Sequence, residues 1–280
     1  MSKLPVNGDL VGLETEPITH TWTDRDTMLY ALGVGCRPPD DLDFVYEGRG
    51  PQVLPTFAVI PGLRAMGKAM QQIDINLAAL LHGEQSVVTH RAIPAGGAAT
   101  ISGRLSNVWD KGKAAVIEFE AMAADDDGPL FDVSASLFVI GGGGWGGDRG
   151  PSGSTATQPP DRPPDIVVER ETRPEQAAIY RLSGDLNPMH IDPEFATGAG
   201  FPGPFNHGLC TFGTVGHSVL TAWCDGDVDR FHSISGRFAD QVWPADTIST
   251  RIWETDDEAV IEARTQADNI VISSGRATRK

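Results

Sequence analysis

The chain has 280 residues, of which 40% are hydrophobic and 21% are charged, and its formal net charge is −16. This composition is typical of a soluble globular protein and excludes a disordered chain. The acidic balance also excludes sequence-independent nucleic-acid binding, which depends on clustered Lys and Arg. No stretch approaches the roughly 20 apolar residues that a membrane span needs, so no membrane partner is predicted.

Cysteine usage and the two ends of the chain predict the compartment. Cys36, Cys210 and Cys224 are unevenly spaced and include no C-x-x-C pair, so neither a disulfide framework nor a zinc site is indicated. The first residues have no apolar core behind their lysine, and the ending ATRK is not an S-K-L-type peroxisomal address. These features predict a cytoplasmic protein.

In the first half of the chain, two helices and several strands are predicted. A short amphipathic helix covers 23–32, a strand covers 44–47, and a central helix with a kinked start at Pro61 lies within 56–81. Segments 100–108, 114–123 and 130–140 alternate in period two between turn signals, which predicts antiparallel hairpins. The last of these strands should press one apolar face on the helix, formed by Phe131, Val133, Ala135, Leu137 and Val139.

Residues 141–164 are too rich in Gly, Ser and Pro to bury much apolar surface, so this segment is predicted to be a linker. A phosphate-binding glycine loop is the alternative, but the G-K-[ST] that a P-loop needs is absent. The predicted organisation is therefore an N-terminal unit over 1–140, the linker, and a C-terminal unit over 165–280.

The second unit repeats the first in the same order. TISGR at 100–104 is echoed by TISTR at 247–251, and AVIE at 115–118 is echoed by AVIE at 259–262. An ordered repeat indicates a duplicated fold. Each copy contains a loop, a helix and several antiparallel strands, which predicts an α+β architecture with a curved sheet around one helix in each repeat.

Residues 180–223 hold the candidate chemistry. Gly and Pro place Asp185, Asn187 and His190 on a rigid turn, and Asn206 is a suitable N-cap for the helix that follows. Gly208 lies in the first turn of that helix, where amide groups lack internal partners and can stabilise an oxyanion. An acid and a base beside such donors indicate proton transfer next to a carbonyl.

The pattern Tyr180-x-Leu182-Ser183-Gly184-Asp185-x-Asn187-Pro188-x-His190-x-Asp192, with His207-Gly208-Leu209 downstream, resembles the hydratase 2 motif of MaoC-like dehydratases and of peroxisomal multifunctional enzymes. The resemblance covers nearly the whole chain and implies a double hot-dog fold. It implies reversible hydration of a trans-2-enoyl-CoA to a (3R)-3-hydroxyacyl-CoA, in fatty-acid or sterol side-chain metabolism, without a cofactor.

The same resemblance implies a role for each site residue. Asp185 and His190 would be catalytic and hold the water between them, Asn187 would orient and bind, and the Gly208 N–H would polarise the thioester carbonyl. The first unit lacks the acid and the base at the matching position, where it has Gly33-Val34-Gly35-Cys36, so it is expected to accommodate the acyl tail.

Three alternatives stay open, together with two expectations about partners. Asp185, His190, Asp192 and His207 are permissible metal ligands, although no H-E-x-x-H spacing supports a metal site. A hot-dog thioesterase and a non-catalytic acyl-thioester-binding subunit are the other two. The acyl-CoA phosphates need basic residues, for which Arg230 and Arg237 are candidates by charge, and a homodimer is expected.

Overall fold

The structure is a computed structural model that describes residues 3–76, 79–151 and 157–280. It divides the chain into two compact units. The first comprises Met1–His20, Ala58–Arg91 and Ala98–Ala156, and the second comprises Thr21–Phe57, Ala92–Gly97 and Thr157–Lys280. This grouping places 21–57 and 92–97 with the second half of the chain. The domain boundaries predicted from the sequence, at 140 and 165, mark the ends of the two repeated units and stay a prediction.

Five strands belong to the first half of the chain: β1 (Ile18–Trp22), β2 (Leu80–Thr89), β3 (Gly97–Asp110), β4 (Ala114–Asp125) and β5 (Gly128–Ile140). They lie in the order β1-β3-β4-β5-β2. The three predicted strands correspond to β3, β4 and β5 and are confirmed with slightly longer bounds. Strands β1 and β2 were not predicted, and β2 includes the irregular step at Gly83, between His82 and Glu84.

The helix packed on this sheet is α3 (Val59–Met70), preceded by a 3-10 turn at Pro55–Ala58. The helix predicted within 56–81 is confirmed over Val59–Met70, and residues 77 and 78 of that range lie outside the described part of the chain. All five residues of the predicted apolar face on β5 are buried. A Cβ on Gly62 would lie 2.5 Å from Val133 Cγ2, so this face presses on α3 as expected.

The second half of the chain adds β6 (Ile166–Glu171), β7 (Phe231–Phe238), β8 (Thr247–Thr255), β9 (Glu258–Thr265) and β10 (Ile270–Arg279). They lie in the order β7-β10-β9-β8-β6. From β6 back to β7, this order repeats that of the first half, so that β6, β8, β9, β10 and β7 correspond to β1, β3, β4, β5 and β2. The sheet of this half packs on α6 (Gly208–Trp223), and thirteen of the sixteen helix residues are buried. The duplicated α+β hot-dog fold is thus confirmed.

Four shorter helices complete the described chain. Helix α1 (Asp24–Gly33) confirms the prediction over 23–32 and begins with a capping box between Thr23 and Asp26. The predicted strand over 44–47 is wrong, because this segment forms α2 (Leu42–Val45) and a 3-10 turn at Glu47–Arg49. Helices α4 (Gln176–Tyr180) and α5 (Pro193–Gly198) flank the site segment. In the described ranges, no helix combines the length and apolarity needed to cross a membrane.

Candidate functional site

A sequence of short turns in the second unit positions the candidate acid and base. After the 3-10 turn Arg181–Ser183, Gly184 adopts a φ of 134°, which a side chain would disfavour. The Asp185 carboxylate then accepts the backbone N–H of Asn187 at 3.2 Å. Asn187 caps the next 3-10 turn, Pro188–His190, by accepting the Met189 N–H at 3.1 Å. These local bonds fix the segment as the sequence predicted.

The imidazole of His190 is oriented by a backbone carbonyl. Its Nδ1 lies 2.9 Å from the carbonyl oxygen of Phe205, and the ring packs edge-on against the Phe205 ring. Because a carbonyl can only accept, Nδ1 carries the proton and Nε2 keeps its lone pair. Burial lowers the pKa of His190, while the Phe205 carbonyl and the Asp185 carboxylate act in the opposite direction. His190 is therefore a neutral base at pH 7.

A second imidazole, that of His207, stacks on the first. The ring centroids of His190 and His207 are 3.9 Å apart, and Tyr180 packs on His207 at 4.9 Å. His207 is buried, and its Nε2 donates to the carbonyl oxygen of Asp185 at 3.2 Å. Burial, and repulsion from His190 when that ring is protonated, lower the pKa of His207 to about 3, so His207 is neutral at pH 7. Motif matching alone had assigned this residue no role apart from metal ligation.

Unused polar atoms remain around these rings. Within the described residues, His207 Nδ1, the Tyr180 hydroxyl and both side-chain polar atoms of Asn206 are buried and have no hydrogen-bond partner. Buried polar groups in proteins are nearly always paired, with protein atoms, water or a ligand. The site is therefore equipped to hold a polar ligand or water.

The Asp185 carboxylate and the ring nitrogens of His190 and His207 converge, with one ligand atom of each within 4.8 Å of the others. Three of the four residues of the metal alternative are thus together. The fourth, Asp192, accepts the N–H groups of Glu194 and Phe195 and caps α5. A carboxylate and neutral imidazoles at this spacing can hold a water between them, and they could also bind a metal ion.

Helix α6 begins beside this group. Its N-cap is His207, so the prediction that Asn206 caps the helix is wrong by one residue. The Asn206 backbone N–H instead donates to the Val242 carbonyl at 2.8 Å, a long-range contact that fixes the chain before the helix. Gly208 is the first helical residue, and its amide lies at the positive end of the helix dipole. A Cβ there would lie 3.3 Å from the Phe238 ring.

The side chains of the other sequence candidates are not part of this convergence. Asn187 is exposed, and its amide oxygen is engaged in the local turn. The Arg230 side chain forms an ion pair with Asp225, which compensates its charge, and Arg237 is exposed on β7. The segment after α1, which replaces the acid and the base of the second copy, packs on α6, where Thr214 donates to the Val34 carbonyl at 3.0 Å.

Comparison with known proteins gives consistent matches. Residues 155–274 match the MaoC-like domain, and residues 20–141 match the hydratase 2 N-terminal domain of multifunctional enzyme type 2. The probable enoyl-CoA hydratase 2 of Dictyostelium discoideum is 38% identical over 96% of this chain and 94% of its own length. The 3-hydroxyacyl-thioester dehydratase Y of Mycobacterium tuberculosis is 42% identical over 90% of this chain and 89% of its own.

Solved structures agree with these matches. A MaoC-like dehydratase from Phytophthora capsici superimposes with a TM-score of 0.88 at 32% identity, covering 98% of both chains. A Mycobacterium tuberculosis protein described as having a double hotdog fold matches with a TM-score of 0.59 at 13% identity, covering 96% of both chains. The second likeness shows the fold alone.

Proposed function

The chain belongs to the MaoC-like hydratase family, and from this membership we propose that it is a hydro-lyase that adds water reversibly across a trans-2-enoyl-CoA. The product is the (3R)-3-hydroxyacyl-CoA, and the reaction as proposed needs no cofactor. The observation that carries the proposal is the convergence of Asp185 with the ring nitrogens of two neutral histidines beside the first residue of α6.

The geometry supports a separate role for each site residue. His190 offers the Nε2 lone pair to a water, and the nearby Asp185 carboxylate accepts from the same water and favours the imidazolium that forms. When the hydroxyl adds to the β-carbon, negative charge develops on the thioester oxygen. The amide of Gly208 at the start of α6 stabilises this charge. The proton taken from the water returns to the α-carbon through the same pair, so the enzyme is unchanged after each turnover.

His207 is proposed as a positioning residue. Its Nε2–H holds the carbonyl of Asp185, and its ring supports that of His190 from one face. Because its pKa is lowered to about 3, it adds no positive charge that would compete with proton transfer. Asn187 keeps the turn in shape through its bond to the Met189 N–H.

The test is an assay of purified protein with crotonyl-CoA. Loss of the conjugated-enoyl absorbance without release of free thiol is the expected result. Thiol release would identify a thioesterase instead, and substrate binding without either change would identify a non-catalytic subunit. A parallel reaction with a chelator tests the metal alternative, because hydration by the pair alone is unaffected by metal removal. The homodimer and the cytoplasmic location stay predictions.

A further inference from the structure

The strands of the first unit carry a row of apolar side chains on the face that points away from α3. This row crosses four neighbouring strands and consists of Leu81 on β2, Phe138 on β5, Val116 on β4 and Trp109 on β3. Each of these residues pairs directly with the next one across the sheet. Directly paired residues point to the same face, so the four side chains are neighbours in space. Ile140, two positions beyond Phe138 on β5, extends the row on this face.

The apolar row is open to solvent. Leu81 is 51% exposed, Phe138 is 37% exposed and Ile140 is 54% exposed, whereas both sequence neighbours of Phe138 on β5 are buried. Val116 and Trp109 are half-buried. Single exposed apolar residues are common on protein surfaces, but a contiguous group of them marks an interaction surface.

At one end of the apolar row, the turn between β3 and β4 is positively charged. Lys111 and Lys113 lie in this turn, and the Arg149 guanidinium lies beside it. Two carboxylates are close to the turn, since Asp110 accepts an N–H of the turn and its own N–H donates to the carbonyl of Asp148. The three cations therefore outnumber the two carboxylates.

The other end of the apolar row is negatively charged. Glu118 and Glu120 are the next outward-facing residues of β4, and Glu84 on β2 lies in the same cross-strand row as Glu118. Arg104 pairs with Glu120 at 2.8 Å. Within the described residues, Glu118 forms no ion pair and accepts neutral N–H groups from β3. Three carboxylates therefore stand against one cation at this end.

We propose that the apolar row is the contact surface for a second copy of this chain. Two identical sheet faces can pack together about a twofold axis that runs across the strands. Such an axis places the two rows against each other and reverses the strand direction, so that the basic turn of each copy meets the acidic end of its partner. The surface is thus complementary to itself in charge, with an apolar centre and a charged rim. The proposal does not depend on hydratase activity.

Sedimentation velocity of the full chain, over a range of protein concentrations, tests the proposal by measuring the dimer dissociation constant. We expect a dimer in wild type, and we expect Phe138→Glu and Leu81→Glu each to raise its Kd by about tenfold or more, because each buries an unpaired charge at the centre of the contact. Val167→Glu is the matched control. Val167 is as exposed as Leu81, at 51%, but lies on β6 in the second unit, so its Kd should equal that of wild type.

Charge reversal tests how the two copies are oriented. Lys113→Glu and Glu118→Lys each place like charges opposite one another and should each weaken the dimer. The double variant restores opposite charges and should recover part of the lost affinity, which the two single changes acting independently would not do.

The proposal is overturned if wild type sediments as a monomer at every concentration, or if Phe138→Glu and Leu81→Glu both dimerise as tightly as Val167→Glu does. Thermal unfolding checks each fold, and Ile140→Glu decides the matter if Phe138→Glu or Leu81→Glu unfolds. A double charge variant weaker than both single variants would overturn the orientation. Because no turnover is measured, failure of the hydration assay would leave this result readable.

Discussion

Two backbone carbonyls determine which ring nitrogens of the site histidines carry a proton. Phe205 takes the Nδ1–H of His190, and Asp185 takes the Nε2–H of His207. His190 Nε2 and His207 Nδ1 are therefore acceptors. Like the Asp185 carboxylate, both atoms can accept a hydrogen bond, which suits the capture of a water that must lose a proton.

We expect Asp185→Asn and His190→Gln each to fold normally and to lose most hydration activity. Each replacement keeps size and some hydrogen bonding but removes proton transfer, for which a positioned acid or base contributes roughly 10² to 10⁴-fold. The double variant should be scarcely slower than the slower single variant, since the pair acts as one unit. Steady-state kcat with crotonyl-CoA measures this, and thermal unfolding checks the fold.

Asp192→Asn is the control for this pair. It removes a carboxylate from the same segment, but asparagine also caps a helix well, so α5 and the activity should both be retained. Near-normal kcat in Asp185→Asn or His190→Gln would refute the acid/base assignment. Loss of wild-type activity on chelation would favour the metal alternative.

His207 should make the protein less stable in acid. An imidazole has a pKa of about 6.5 in an unfolded chain, and burial lowers that of His207 to about 3 in the folded state. Between these values the unfolded chain binds the extra proton, so the free energy of unfolding falls as the pH drops from 6.5 towards 3. In His207→Gln the slope of the unfolding free energy against pH should decrease by the equivalent of up to about one bound proton. Urea unfolding at several pH values measures the slope, and an unchanged slope would contradict the burial argument.

The residue types at the site could be predicted from the sequence, but several contacts could not. Asp185 and His190 follow from the spacing of the motif. The stacking of His207 on His190 and the shift of the helix cap from Asn206 to His207 depend on a bond from Asn206 to Val242, thirty-six positions further along the chain. No local pattern records such a partner.

At the scale of elements, strongly periodic segments were predictable and short ones were not. Strands β3 to β5 alternate over ten or more residues, and their existence is confirmed. Segment 44–47 has too few residues for an alternating pattern to be recognised, and it spans the end of α2 and the start of a 3-10 turn. The end of the helix within 56–81 could not be located from the sequence, because nothing local marks Met70 as its last residue and the following strand β2 pairs with the distant β5.

Helix α6 contains glycines with two different purposes. At Gly213 a Cβ would lie 2.4 Å from Val34 Cγ1, and at Gly216 it would lie 2.4 Å from Thr56 Cγ2. The close approach to α6 at these two positions thus comes from the segment around α1 and from Thr56. At Gly208 the nearest group is the Phe238 ring at 3.3 Å, which leaves more room.

We therefore expect Gly208→Val to lower kcat and Gly213→Ala to lower stability. Removal of one oxyanion donor costs roughly 10² to 10³ in kcat, so a partial obstruction at Gly208 should cost about tenfold or more. Overpacking at Gly213 should cost about 1–3 kcal/mol of unfolding free energy with little effect on kcat. Adding Phe238→Leu to Gly208→Val should recover stability but not turnover. Unchanged kcat and stability in Gly208→Val would show that the oxyanion role is wrong.

For the whole molecule, the ordered sequence repeat predicted the duplicated fold, and both sets of five strands do have the same order. The segment 141–164 was predicted only as a linker, and its residues 152–156 lie outside the described part of the chain. In the part that is described, Asp110 holds the glycine run. Its carboxylate accepts the N–H groups of Gly144 at 2.8 Å, Gly146 at 2.7 Å and Gly147 at 3.3 Å.

The same carboxylate also accepts the N–H of Gly112 at 2.7 Å. The Gly144 N–H and the other amides lower the pKa of Asp110 to about 2. The attachment is therefore complete above the ordinary carboxyl pKa of about 3.9 and is lost only as the pH falls towards 2. A run of glycines gives no sign in its own sequence that a distant carboxylate binds it.

Limited proteolysis at neutral pH tests this attachment. We expect Asp110→Asn to be cut several times faster than wild type within 141–164, because an amide offers one acceptor oxygen where the carboxylate offers two, and its NH₂ group opposes the amide donors of Gly146 and Gly147. Trypsin at Arg149 and chymotrypsin at Trp145 report on the two ends of the attached run, and mass spectrometry locates the cuts. Asp127→Asn is the control, since Asp127 is exposed in the turn between β4 and β5 and should leave the rate unchanged. An unchanged cleavage rate in Asp110→Asn would contradict the attachment, and cleavage inside 100–140 with 141–164 protected would contradict the predicted boundary.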